Sequence, residues 1–187
     1  MKKIAFLAAA ACAALATPAM AQQNATGTIT LTGTVANKCY VGSDNTATLF
    51  TASHAFGELA KADGTLRTGL DTEIDGDATM DFTIKCNTGN PTVTISRTAM
   101  TNVLTASTGY TNSISYNGIV VVDRAVGTPV TFDTDATSVP LATGQLGSAL
   151  SATGPNVHVT ANTFAASGIL VAGSYSGQIS ITIQPTV

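Results

Sequence analysis

Along much of the chain apolar and polar side chains alternate one by one, the period of an extended strand with one buried face. In Tyr175–Ile183 ("YSGQISITI"), Ile179, Ile181 and Ile183 share one face and Gln178, Ser180 and Thr182 the other. Ala78–Cys86 ("ATMDFTIKC") sets Met80, Phe82 and Ile84 together, and Asn156–Phe164 ("NVHVTANTF") alternates likewise. Ile114–Val122 ("ISYNGIVVV") is apolar enough for a buried strand, with Gly118 marking a bulge or twist point. Thr92–Ser96 ("TVTIS") follows a turn at Asn87–Pro91. Near the N-terminus, Ala25–Gly42 ("ATGTITLTGTVANKCYVG") points Ile29, Leu31 and Val35 one way and Thr28, Thr30, Thr32 and Thr34 the other, and Thr34–Val41 reads as a strand too. Leu141–Gly154 reads as a loop carrying one helical turn at most. No stretch joins a helical period to caps over the ten or so residues that a helix assignment needs. Many short strands and no repeat of fixed period predict an all-β fold, a sandwich with Greek-key connections.

Composition agrees, because threonine, serine, alanine, glycine and valine dominate and tryptophan is absent. A net charge of −3 with 10% charged residues argues against a nucleic-acid partner. The N-terminus changes the picture more. Lys2 and Lys3, the apolar run Ile4–Leu15, and Pro18 ahead of Ala19-Met20-Ala21 make a signal peptide over residues 1–21, cleaved after Ala21. That run is too short to span a bilayer, and no second apolar segment follows, so no membrane span is expected. A lipoprotein acylated at Cys12 fits poorly, because the apolar stretch before it is short and Ala9 stands where leucine is usual. About 166 residues remain, enough for one domain with its own core. Cys39 and Cys86 are then an even pair in an oxidising compartment, which predicts a disulfide.

Candidate chemistry is sparse. His54 and His158 are the only histidines, and neither stands at metal-ligand spacing; His158 is expected to face solvent from an alternating strand. Gly173–Gly177 ("GSYSG") carries Tyr175 where a nucleophile elbow needs serine. No glycine cluster reads as a phosphate loop. Asp71–Asp77 ("DTEIDGD") imitates the start of a calcium loop, but the twelfth position falls on Phe82, so it reads as a solvated acidic loop. Asn24-Ala25-Thr26 fits a glycosylation sequon that a bacterial signal peptide makes incidental. "TITLT" stands alone, without the regular threonine ladder of an ice-binding face. The reading is of a protein that is not an enzyme, with no cofactor and no metal.

Three places together resemble a family. An alternating N-terminal strand ends shortly before a cysteine ("TGTITLTGTVANKC"). The second cysteine closes a strand and leads through a polar turn into another ("FTIKCNTGNPTVTIS"). Gly-x-Tyr-x-Gly then runs into a last alternating strand ("AGSYSGQISITIQPTV"). In this order and spacing they resemble the spore coat protein U domain, and within it the major subunits of archaic chaperone–usher pili. The resemblance spans nearly the whole chain after residue 21.

What it implies is an incomplete immunoglobulin-like β-sandwich over residues 35–187 that lacks its last strand. Residues 22–34 would be a donor strand, with Ile29, Leu31 and Val35 filling a groove in the next subunit. Ile179, Ile181 and Ile183 would line the acceptor groove. The implied partners are copies of the chain itself in a head-to-tail fibre, a periplasmic chaperone and an outer-membrane usher. Export through the periplasm to the surface of a Gram-negative bacterium follows, with a part in adhesion or biofilm formation. Gly33 breaks the donor pattern, since alternation asks for an apolar side chain there. Other readings are a spore-coat-like surface protein, and a tip adhesin or binding module on the same sandwich.

Overall fold

The computed structural model describes residues 28–42, 46–134 and 141–186. The expected signal peptide, its cleavage site, Cys12, the sequon at Asn24 and donor residues 22–27 lie outside these. The chain divides into two units, Met1–Thr34 and Val35–Val187. In the first, residues 28–34 form neither helix nor strand. The extended pairing expected of them finds no partner there, and Ile29 and Leu31 are 86% and 91% exposed.

The second unit is an all-β sandwich. Its elements run β1 (Cys39–Val41), α1 (Leu70–Asp75), a 3-10 turn (Ala78–Met80), β2 (Asp81–Phe82), β3 (Ile84–Cys86) and β4 (Thr92–Thr101). Then come β5 (Tyr110–Thr111), β6 (Ser113–Val122), β7 (Val130–Asp133), β8 (Leu141–Gln145), β9 (Val157–Ala165), β10 (Ile169–Leu170) and β11 (Ser176–Gln184). β4 is flanked by β11, with Ile181 opposite Ile95, and by β8, with Ala142 opposite Ile95. β6 is flanked by β9, with Val120 opposite Val159, and by β7, with Val120 opposite Phe132. β2 extends this second group from β9, and the two groups join where Met100 of β4 meets Ile114 of β6. β5 and β10 form a short parallel pair.

The period-two pattern does the packing. Val93 and Ile95, Ile114, Tyr116, Val120 and Val122, and Val157, Val159 and Ala161 alternate with less buried neighbours and enter one core. Each fully buried side chain of this size contributes about 1.5–3 kcal/mol. The bulge expected at Gly118 lies just before it, between Ser115 and Asn117 of β6. Cys39 and Cys86 are bonded, directly opposite each other between β1 and β3. Closing this 47-residue span contributes about 4 kcal/mol on the chain-entropy model.

Three expectations need correction. Leu141–Gly154 is not all loop, because β8 opens it; Ala142 and Gly144 are its inward residues, too small to show as an apolar face. A Cβ on Gly144 would stand 3.2 Å from the Phe132 ring, so the strand is thin where it passes that side chain. The acidic loop at Asp71–Asp77 is largely helix: Leu70 and Ile74, four apart, are buried, and α1 packs on β9. Thr34–Val41 is strand only from Cys39; Val35 is 84% exposed.

Candidate functional site: an open apolar groove

β11 pairs with β4 along one edge, and among the described residues no strand pairs with its other edge. A groove of about 390 Å³ opens beside that free edge. Ile179 and Ile181 form one wall, and Met80, Tyr116, Val159 and Ala161 form the floor. The facing wall is the segment from Phe50 to Phe56, which belongs to no β-ladder. A second opening of about 680 Å³ continues past it, sharing His54, Phe56, Met100 and Tyr175. Tyr116 is buried, and that burial pushes its phenol up from the ordinary tyrosine range, with the Arg97 guanidinium over its ring pulling the other way. The floor therefore stays neutral.

The Gly-x-Tyr-x-Gly run builds the end of the groove. Gly173 has φ 133°, where a side chain is strained, and a Cβ there would meet the Asn102 amide at 2.7 Å. The Tyr175 hydroxyl lies 3.0 Å from the carbonyl oxygens of both Thr111 and Val171. Gly177 sits at the bulge in β11, where a Cβ would come within 3.0 Å of the Thr98 carbonyl oxygen. These contacts bring β11 tight against β4, with Ile179 and Ile181 turned toward the groove.

The facing wall is tied down by side chains. Phe50 meets Phe82 with ring centroids 4.5 Å apart, and Phe56 meets Phe164 at 5.4 Å. His54 Nδ1 lies 2.7 Å from Asp77 Oδ2. Asp77 is pulled down to about 2 by its bond to His54 first, then by the hydroxyl and backbone N–H of Thr79. At the end of the wall, Arg67 donates to the Phe56 carbonyl at 2.7 Å and pairs with Glu73 through both terminal nitrogens.

Of the residues singled out from sequence, Ile179 and Ile181 line the groove, while Ile183 packs against the core farther along β11 without lining it. Ile29, Leu31 and Val35 are exposed. His158 is partly exposed, bonded to Asp81 at 2.8 Å and near Asp123 at 3.4 Å. The acids of the calcium-like run separate: Glu73 pairs with Arg67 and Asp77 with His54. Sequence reasoning missed the Phe50–Phe56 wall. Its signal was there in "FTASHAF", which sets Phe50, Ala52, His54 and Phe56 at period two.

No helix among the described residues is long and apolar enough to cross a membrane. No family model matches the chain, and neither does any curated protein or solved structure.

Proposed function

We propose that the chain is a structural subunit of a surface pilus, polymerised by strands exchanged between copies. The observation that carries this is the apolar groove beside the unpaired edge of β11. The layers support the finer reading of an incomplete immunoglobulin-like sandwich. β1, then β2 and β3, β9 and β6 lie side by side in the order of one such layer, and β8, β4 and β11 lie side by side in the other. The strand that such a sandwich lacks would lie along the free edge of β11, over Ile179 and Ile181. An open apolar edge is an aggregation hazard, which accords with a chaperone guarding it in the periplasm before an usher exchanges it for the next subunit.

The occupant is the N-terminal segment of a second copy. Ile29, Leu31 and Val35 are its exposed apolar residues at period two, each worth about 1.5–3 kcal/mol on burial, less the cost of association. Backbone pairing to a sheet edge adds the main-chain bonds. The segment's root is fixed at one pole: Asn37 donates to the Thr186 carbonyl, and Asn87 donates to the Ala36 carbonyl. An end-to-end stack would run the donor antiparallel to β11. The contact is heterologous and does not close on itself, so it builds a filament.

Leu31→Asp tests the donor. Its own sandwich should melt as the wild type does, while polymer yield falls sharply, because a carboxylate would enter an apolar groove. Fibres of normal length from that variant would remove the segment from the mechanism.

A further inference from the structure

The wall opposite β11 is held at few points. Phe50 and Phe56 attach it at its two ends, through ring contacts and, at Phe56, through a bond from Arg67 to the carbonyl. Between them, among the described residues, the only directional tie is the bond from His54 to Asp77. Its anchor is rigid: the other Asp77 oxygen accepts from the Thr79 backbone N–H at 2.9 Å and the Thr79 hydroxyl at 2.6 Å. That fixes Asp77 at the start of the 3-10 turn carrying Met80, the floor of the groove. The clasp thus links wall to floor, and it gives a place to the last acid of a run whose calcium-like spacing found no use.

We propose that His54 and Asp77 are positioning residues for strand acceptance, their bond holding the wall at the separation a strand needs to lie between it and β11. This rests on the strand-accepting reading above. A wall already in place spares the ordering entropy that binding would otherwise cost. The gain falls on release more than on arrival, as affinity differences between related complexes commonly do.

The test uses the full mature chain and a fluorescent peptide spanning residues 22–36, with release followed after adding excess unlabelled peptide. His54→Leu keeps bulk and removes the donor; release should quicken about tenfold, the effect of one charge-assisted hydrogen bond. Asp77→Ser keeps the helix-capping oxygen and breaks the clasp from the other end, and should do the same. His54→Asn, whose amide nitrogen can stand in for Nδ1, should restore most of the wild-type rate. A purely structural role would lower the melting temperature of the peptide-free subunit and leave release unchanged. Equal release from wild type, His54→Leu and Asp77→Ser would overturn the clasp while leaving the groove's function standing, and so would His54→Asn behaving like His54→Leu. A wild type that takes up no peptide would overturn the strand-accepting reading, and the clasp with it.

Discussion

His158 stands on β9 between two carboxylates, Asp81 of β2 and Asp123 just past β6, and so ties three adjacent segments at the surface. Burial pulls its pKa down, but the bonds to Asp81 and Asp123 outweigh it and raise it above the ordinary value of 6.5. A raised histidine stabilises the fold fully below its unfolded value and loses that contribution as pH rises through the folded one. Asp77 works in the opposite sense. With its pKa lowered from 3.8 to about 2, its contribution is present above 3.8 and fades as pH falls toward 2. Denaturant melts should therefore show wild type exceeding His158→Gln by more at pH 6 than at pH 9. An Asp77→Ser variant should differ from wild type at neutral pH and converge with it near pH 2. A His158→Gln difference that does not shrink with rising pH would contradict the ion-pair assignment.

At the scale of the element, β11 does two jobs with one face. Ile181 pairs with β4 and packs against the core, yet it also lines the groove and is only partly buried. Ile181→Asp should leave a folded subunit whose uptake of a donor peptide falls more than about tenfold, since a filled groove would bury an unpaired carboxylate. Circular dichroism and peptide anisotropy on the same sample check both halves. Of the strands legible in the sequence, β9, β11 and the first half of β4 set large side chains on one face, so alternation was visible, and β6 stood out as an apolar run. β8 was not legible, because its inward Ala142 and Gly144 carry no bulk beside the Phe132 ring. α1 escaped because six residues offer a single i, i+4 apolar pair, Leu70 and Ile74, while its acids suggested a loop. The groove was half legible: Ile179 and Ile181 stood out, whereas the facing wall joins no ladder and is placed by aromatic contacts and a clasp distant in sequence.

For the whole molecule, the account needs a donor on one copy and a groove on the next, two parts that can be broken separately. A chain lacking residues 22–32 keeps its groove and cannot donate; Ile181→Asp keeps its donor and cannot accept. Mixing the two, released together from a chaperone, and weighing the products by native mass spectrometry tests the central claim directly. The account predicts a single 1:1 heterodimer that grows no further, with each variant alone staying unpolymerised. No heterodimer from two folded variants, or polymer from either one alone, would contradict it.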